Sequence, residues 1–158
     1  MNELIAQGDK EGRLAMRSSI DQLEAALKDL EGSERGDMDQ VNADGLSEYL
    51  IGGAYTRVLR IPEGHTIVSK LWKKRRLWII VSGKVRITSE AGNQVVQAPY
   101  ICEAPFGSKI ALYAETEVLW AAITGLPETD DVAEAEKYIV AEDYSVLTYP
   151  WDLLETEQ

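Results

Sequence analysis

The sequence predicts an all-β domain with one helix before it and a helix and tail after it. Three observations predict this. From Tyr49 to Ile123, short runs rich in β-branched and aromatic residues alternate with Gly, Pro and Asn turns, the spacing of a sandwich or small barrel. Ahead of them Ile20, Leu23, Leu27 and Leu30 recur at spacings of three and four, one apolar helical stripe. Behind them Val132, Ala135 and Ile139 form a shorter stripe that follows the acids Asp130 and Asp131. The chain therefore divides into a helix and linker at 1–45, a barrel at 46–126, and a helix and tail at 127–158.

The first helix is expected to open at Ser18–Ser19, with Gln22 completing a capping box, and to end at Gly32. Residues 33–45 are polar and read as a linker. Tyr55 to Ile61 is a strand, and Pro62-Glu63-Gly64 turns it. Thr66 to Trp72 and Leu77 to Val81 follow, then Ser82-Gly83 marks a turn. Val85 to Ser89 and Gln94 to Gln97 flank a hairpin loop at Glu90-Ala91-Gly92-Asn93. Ala98-Pro99 and Pro105-Phe106-Gly107 are connections, after which come strands at Lys109 to Tyr113 and Glu117 to Ile123. Thr129 or Asp130 caps the second helix. The tail from Tyr144 to Leu154 is too apolar to be disordered and is expected to clamp the domain or a neighbour.

Composition excludes several classes. At 158 residues and 45% apolar the chain can bury one core. Its apolar runs, Leu77 to Val81 among them, are far short of a membrane span. The N-terminus lacks an apolar signal-peptide core, so export by that route is not expected. The single Cys102 forms no internal disulfide and fits a reducing compartment. A net charge of −11 argues against general affinity for DNA or anionic membrane. That charge is uneven: Arg60 to Arg86 holds eight Lys or Arg against Glu63 alone, whereas residues 128–158 hold ten acids against Lys137. The two regions could meet, within the fold or between subunits.

Residues 49–140 resemble a group of small cupin proteins encoded by tailed bacteriophages and prophages. The matching fragments are Tyr55-Thr56-Arg57, Ile61-Pro62-Glu63-Gly64, Ser69-Lys70-Leu71-Trp72 and Ala98-Pro99-Tyr100, then Pro105-Phe106-Gly107-Ser108-Lys109, Tyr113-Ala114-Glu115-Thr116-Glu117 and Trp120. The resemblance implies a cupin-type double-stranded β-helix, a jelly-roll barrel. It also implies where the family's metal-binding histidines belong, and this chain departs from all three. Trp72 stands at the first, Arg76 at the second, and the third falls near Thr124. The only histidine, His65, lies in a turn. No metal and no cofactor are expected, and no catalytic residue is identifiable. Glu115 and Glu117 have no partner acid, no Ser or Cys has a motif around it, and Gly52-Gly53 lacks the setting of a phosphate loop.

Three functions remain open. The first is a non-enzymatic, metal-free, homo-oligomeric structural or accessory protein of phage type, found in the host cytoplasm or the virion and touching other phage structural proteins. Its contacts would be the stripe Ile20, Leu23, Leu27 and Leu30 and the tail residues Trp151 and Leu153. The second is a binding module. If the ligand positions face inward, Trp72 and Arg76 line the cup with Lys70, Lys74 and Trp78 nearby. Indoles and cations together suit a flat anionic ligand such as a nucleotide. The third is a metal enzyme with an unusual ligand set including Glu103 or Cys102.

Overall fold

The computed structural model describes residues 10–31, 45–104, 107–127 and 129–147. The linker, the Pro105–Phe106 connection and the tail with Trp151 and Leu153 lie outside the described residues. The fold is mostly β, with two helices, α1 (Lys10–Lys28) and α2 (Val132–Ile139). The strands are β1 (Leu46–Ile51), β2 (Ala54–Ile61), β3 (Thr66–Val68), β4 (Leu71–Trp72), β5 (Arg76–Ser82) and β6 (Lys84–Ser89). They continue with β7 (Gly92–Gln97), β8 (Tyr100–Ala104), β9 (Ala111–Ala114), β10 (Val118–Gly125) and β11 (Val140–Ala141).

All pairings are antiparallel. One sheet runs β1-β2-β10-β5-β8, a second β3-β9-β6-β7, and a short third joins β11 to β4. The core lies between the two large sheets. Ile61, Trp78, Ile80, Val118 and Trp120 from the first meet Val85, Ile87, Val96, Leu112 and Ala114 from the second. Strict alternation produces this: in β5, Arg76, Trp78 and Ile80 are buried while Leu77 and Val81 are exposed.

Four expectations are corrected. The helix α1 begins at Lys10, eight residues before the serines. Leu14 and Arg17 extend its stripe, and Ser19 Oγ donates to its own Ala15 carbonyl at 3.1 Å, a mid-helix bond rather than a cap. The single strand expected from Thr66 to Trp72 is broken at Ser69 and Lys70. There Ser69 N–H donates to the Ile110 carbonyl at 2.8 Å, and the chain crosses from the four-stranded sheet to β11. The hairpin loop is only Glu90–Ala91, because Ser89 pairs with Gly92. The second helix is capped by Asp131, whose carboxylate accepts from the N–H groups of Ala133 and Glu134.

The stripe of α1 docks on its own chain only in part, through Ile20. Ile20 is 1% exposed, so it is unavailable as an oligomer contact, whereas Leu23 is 37% and Leu30 60% exposed. Ion pairs seat the helix: Arg17 with Glu90 in the β6–β7 loop, and Lys109 with Asp21 at 2.7 Å and Glu24 at 2.8 Å. Ile20→Ala is expected to cost about 2–5 kcal/mol in chemical denaturation. A loss much below that range would mean the helix adds little to the fold.

Candidate functional site

Register assembles the site on the inner face of the five-stranded sheet. Glu48 pairs with Arg57, Arg57 with Ala122, Ala122 with Trp78, and Trp78 with Cys102, one inward row across five strands. The next inward row holds Tyr55, its partner Thr124, and Arg76 with its partner Ala104. Ile123 pairs with Leu77, so the following residue, Thr124, comes alongside Arg76. At this end α2 closes over the sheets: Ala135 and Ile139 pack with Tyr55 and Trp72 in a second, smaller core.

Arg76 is the central group. It is 3% exposed. Its guanidinium carbon lies 4.6 Å from the Trp72 ring centre and 5.3 Å from that of Trp78. Trp78 in turn meets Trp120 edge-to-face at 5.0 Å, and Trp72 faces Tyr55 at 6.3 Å. No carboxylate among the described residues reaches Arg76, and its Nη1 has no hydrogen-bond partner. Burial without a counter-charge pulls its pKa down to about 9, so it remains a cation at neutral pH.

The neighbours are also incompletely satisfied. Arg57 pairs with the buried Glu48 at 3.5 Å, and the Tyr55 hydroxyl donates to the same carboxylate. Burial, then that hydrogen bond, pushes the Tyr55 pKa up. Yet Glu48 Oε2, Arg57 Nε, Ser108 Oγ and Thr124 Oγ1 are buried without hydrogen-bond partners. Buried polar atoms are nearly always satisfied, so these atoms and Arg76 Nη1 are exceptions, without a hydrogen-bond partner among the described residues. Glu48 and Arg57 balance each other, which leaves the positive charge of Arg76 uncompensated.

Of the five candidate binding residues, the structure brings together Trp72, Arg76 and Trp78. Lys70 and Lys74 do not join them. Lys70 pairs with Glu136 of α2, and the Lys74 ammonium lies 4.5 Å from the Tyr138 ring centre. Strand alternation fails here because β4 is only two residues long. The basic turn thus meets the acidic helix within one chain. Tyr55, Glu48 and Ser108 were not singled out for the site; the inward parity of Tyr55 and Arg57 in one strand was the available signal.

A metal does not fit these residues. An indole and a guanidinium donate no lone pair, and a cation would add to charge already uncompensated. Among the described residues no three His, Cys, Asp or Glu side chains stand together. Cys102 and Glu103 are neighbours on β8 and face opposite sides, so they cannot share an ion. Cys102 is buried, which raises its pKa, while Glu103 pairs with Arg75 on the outside, which lowers its own. The outer side of this sheet also carries an open groove of about 350 Å³, lined by Arg75, Arg76, Leu77, Glu103 and Ile123.

No family model and no curated protein matches this chain. Solved structures do resemble it. An ectoine synthase from P. lautus is 15% identical at a TM-score of 0.48, over 71% of this chain and 90% of that one. A cupin protein from Bacteroides fragilis is 17% identical at 0.46, over 65% and 91%. The cupin domain of Schizosaccharomyces pombe Cnp3 is 14% identical at 0.46, over 65% and 77%. Such values carry no activity, substrate or partner across to this chain.

Proposed function

We propose that this protein is a non-enzymatic, metal-free binding module of cupin type that holds a small anion on Arg76. One observation carries the reading: a buried guanidinium with no acid beside it among the described residues. Removing a charge from water costs several kcal/mol even after relaxation. Two cation–π contacts return about 0.5–2 kcal/mol each, which does not cover that cost. A phosphate or carboxylate would accept from the unpaired N–H groups in charge-assisted bonds, with the Thr124 hydroxyl as a further donor. The indoles already cover the guanidinium, so a small anion, or the phosphate group of a nucleotide, is the class to test. The phage resemblance adds a role in which such a ligand is sequestered rather than hydrolysed.

The test is titration with inorganic phosphate and with AMP, read by tryptophan fluorescence, since two indoles flank the guanidinium. Saturable quenching or enhancement is expected. No change with either probe at millimolar concentration would overturn the reading. Its pH dependence has a definite sign. Sulfate stays fully ionised through the neutral and alkaline range, and free Arg76 loses its proton near pH 9. Tyr55 and Cys102 are shifted upward by burial and stay neutral at neutral pH. Sulfate affinity is therefore expected to be flat from pH 6 to 8 and to fall above about pH 9.

A second reading, a self-assembling accessory protein of phage type, is favoured by the large apolar side chains exposed on β1, β5 and β8. The two are compatible, because the anion site faces inward and these side chains face out.

A further inference from the structure

Two hydroxyls near Arg76 share its burial. Thr124 is 2% and Ser108 7% exposed, and among the described residues neither side-chain oxygen has a hydrogen-bond partner. Different elements bring them there. Thr124 stands in β10 between Tyr55 and Arg76 in the inward row, one strand spacing (about 4.8 Å) from each. Ser108 precedes β9 and bridges to Trp72, whose N–H donates to the Ser108 carbonyl at 3.1 Å. Residues opposite each other in an antiparallel bridge project to the same side, with Cβ atoms about 4.5–5.5 Å apart. The Ser108 hydroxyl is thus placed beside the indole that covers Arg76. Its segment is tied down on the same side: Ile110 N–H donates to Ser69 Oγ at 3.0 Å, and Ser69 N–H to the Ile110 carbonyl at 2.8 Å. We infer that Arg76, Thr124 and Ser108 together form a site for a tetrahedral oxyanion, a phosphate or sulfate group, in preference to a planar carboxylate.

The site so defined rests on the reading of Arg76 as an anion holder and adds the ligand's shape to it. Trp72 and Trp78 cover the guanidinium at 4.6 and 5.3 Å, so an anion meets its N–H edge. A carboxylate brings two oxygens, and a bidentate pairing with the planar fork uses both. Both hydroxyls then stay unpaired in a buried site, and each missing bond counts against that ligand. A tetrahedral anion has four oxygens. With two on the fork, the other two stand out of its plane, toward donors on other elements. Thr124 on the neighbouring strand and Ser108 beside Trp72 supply such donors, each with an O–H that no acceptor among the described residues takes. A water molecule can accept either proton, but it brings no charge to offset Arg76.

Isothermal titration calorimetry of the full chain at neutral pH tests this, with inorganic phosphate, sulfate and AMP set against formate and acetate. Phosphate and sulfate are expected to bind, and the two carboxylates to bind at least ~10-fold more weakly. Ser108→Ala and Thr124→Val are each expected to lower phosphate affinity at least ~10-fold, the effect of one lost hydrogen bond to a charged group, and to leave formate affinity unchanged. Thr124→Ser keeps the hydroxyl and is expected to retain phosphate affinity. Without ligand, neither Ser108→Ala nor Thr124→Val is expected to unfold below the wild-type midpoint, because each removes an unpartnered polar atom. AMP carries the same group as an ester. Binding of AMP as well as phosphate extends the site to phosphoryl ends, phosphate alone confines it to the free ion, and the inference stands in both cases. Formate binding as tightly as phosphate, or full phosphate affinity in Ser108→Ala, would overturn it and leave the Arg76 reading intact. A wild type that binds none of these anions would overturn both.

Discussion

Arg76→Met is expected to stabilise the protein and at the same time to abolish anion binding. The two effects have one cause. In the free protein the guanidinium is 3% exposed between Trp72 and Trp78 and has no counter-charge among the described residues. Methionine has similar length, packs against both indoles and needs no solvation. Replacing buried charged groups with apolar residues of like volume commonly stabilises by about 1–4 kcal/mol. A rise of several degrees in the unfolding midpoint is expected in the absence of ligand. Each charge-assisted hydrogen bond to an anion is worth about 1.5–3 kcal/mol, so losing two of them lowers phosphate affinity at least ~100-fold. Arg76→Lys keeps the charge and loses the planar fork, and should bind weakly with no gain in stability. A purely structural arginine behaves in the opposite way. If Arg76→Met lowers stability by several kcal/mol, the guanidinium is part of the core and the binding reading fails with it.

The largest loss of stability is expected at Gly83, in the turn between β5 and β6. Its φ is +92°, and a Cβ there would stand 2.1 Å from the Glu117 carbonyl oxygen. That oxygen belongs to the backbone entering β10, which is hydrogen-bonded on both sides within the large sheet. The Gly83 carbonyl also accepts from Ala98 N–H at 2.9 Å, tying the turn to the end of β7. Overpacking costs about 1–3 kcal/mol, and a strained backbone angle adds about 1–3 kcal/mol. Gly83→Ala is thus expected to lose about 2–6 kcal/mol in urea denaturation. Gly64 is the control: its φ is +79° but a Cβ would meet nothing within 4 Å, so Gly64→Ala bears the backbone strain alone. Equal losses for the two alanines would show that the clash at Gly83 is relieved.

The strands bounded by clear turns were legible. β2, β5, β6 and β10 are rich in β-branched and aromatic residues between Gly and Pro turns, and observed ends fall within a residue or two of the expected ones. Three strands were not singled out, β1, β8 and the two-residue β11. β1 follows a polar, Gly-containing stretch, and β8 is five residues between two connections. The break at Ser69 and Lys70 was hidden for a different reason. Both flanking pieces are β-rich, and only hydrogen bonds to Ile110 and to β11 divide them. The start of α1 was misread because Ser18 and Ser19 make a plausible cap, while docking of Arg17 on Glu90 carries the helix past them.

The candidate site divides in the same way. Trp72, Arg76 and Trp78 could be named because they stand at or near motif positions and two share one strand parity. Lys70 and Lys74 were grouped with them by proximity in sequence, and the acidic helix draws both outward. Glu48, Tyr55 and Thr124 come from strands far apart in the chain, and nothing local marks them. What the sequence by itself determined is what local periodicity and residue chemistry can encode: the β-rich character, the main turns, the want of imidazoles for a metal, and a concentration of cations beside tryptophans. Which cation is left without a partner was decided only by the tertiary structure. Two segments sixty-six residues apart, Lys70 and Glu136, had to meet before their charges cancelled. Among the described residues Arg76 meets no such partner: its neighbours are indoles, a hydroxyl and an alanine, and the acid of the inward rows, Glu48, pairs with Arg57.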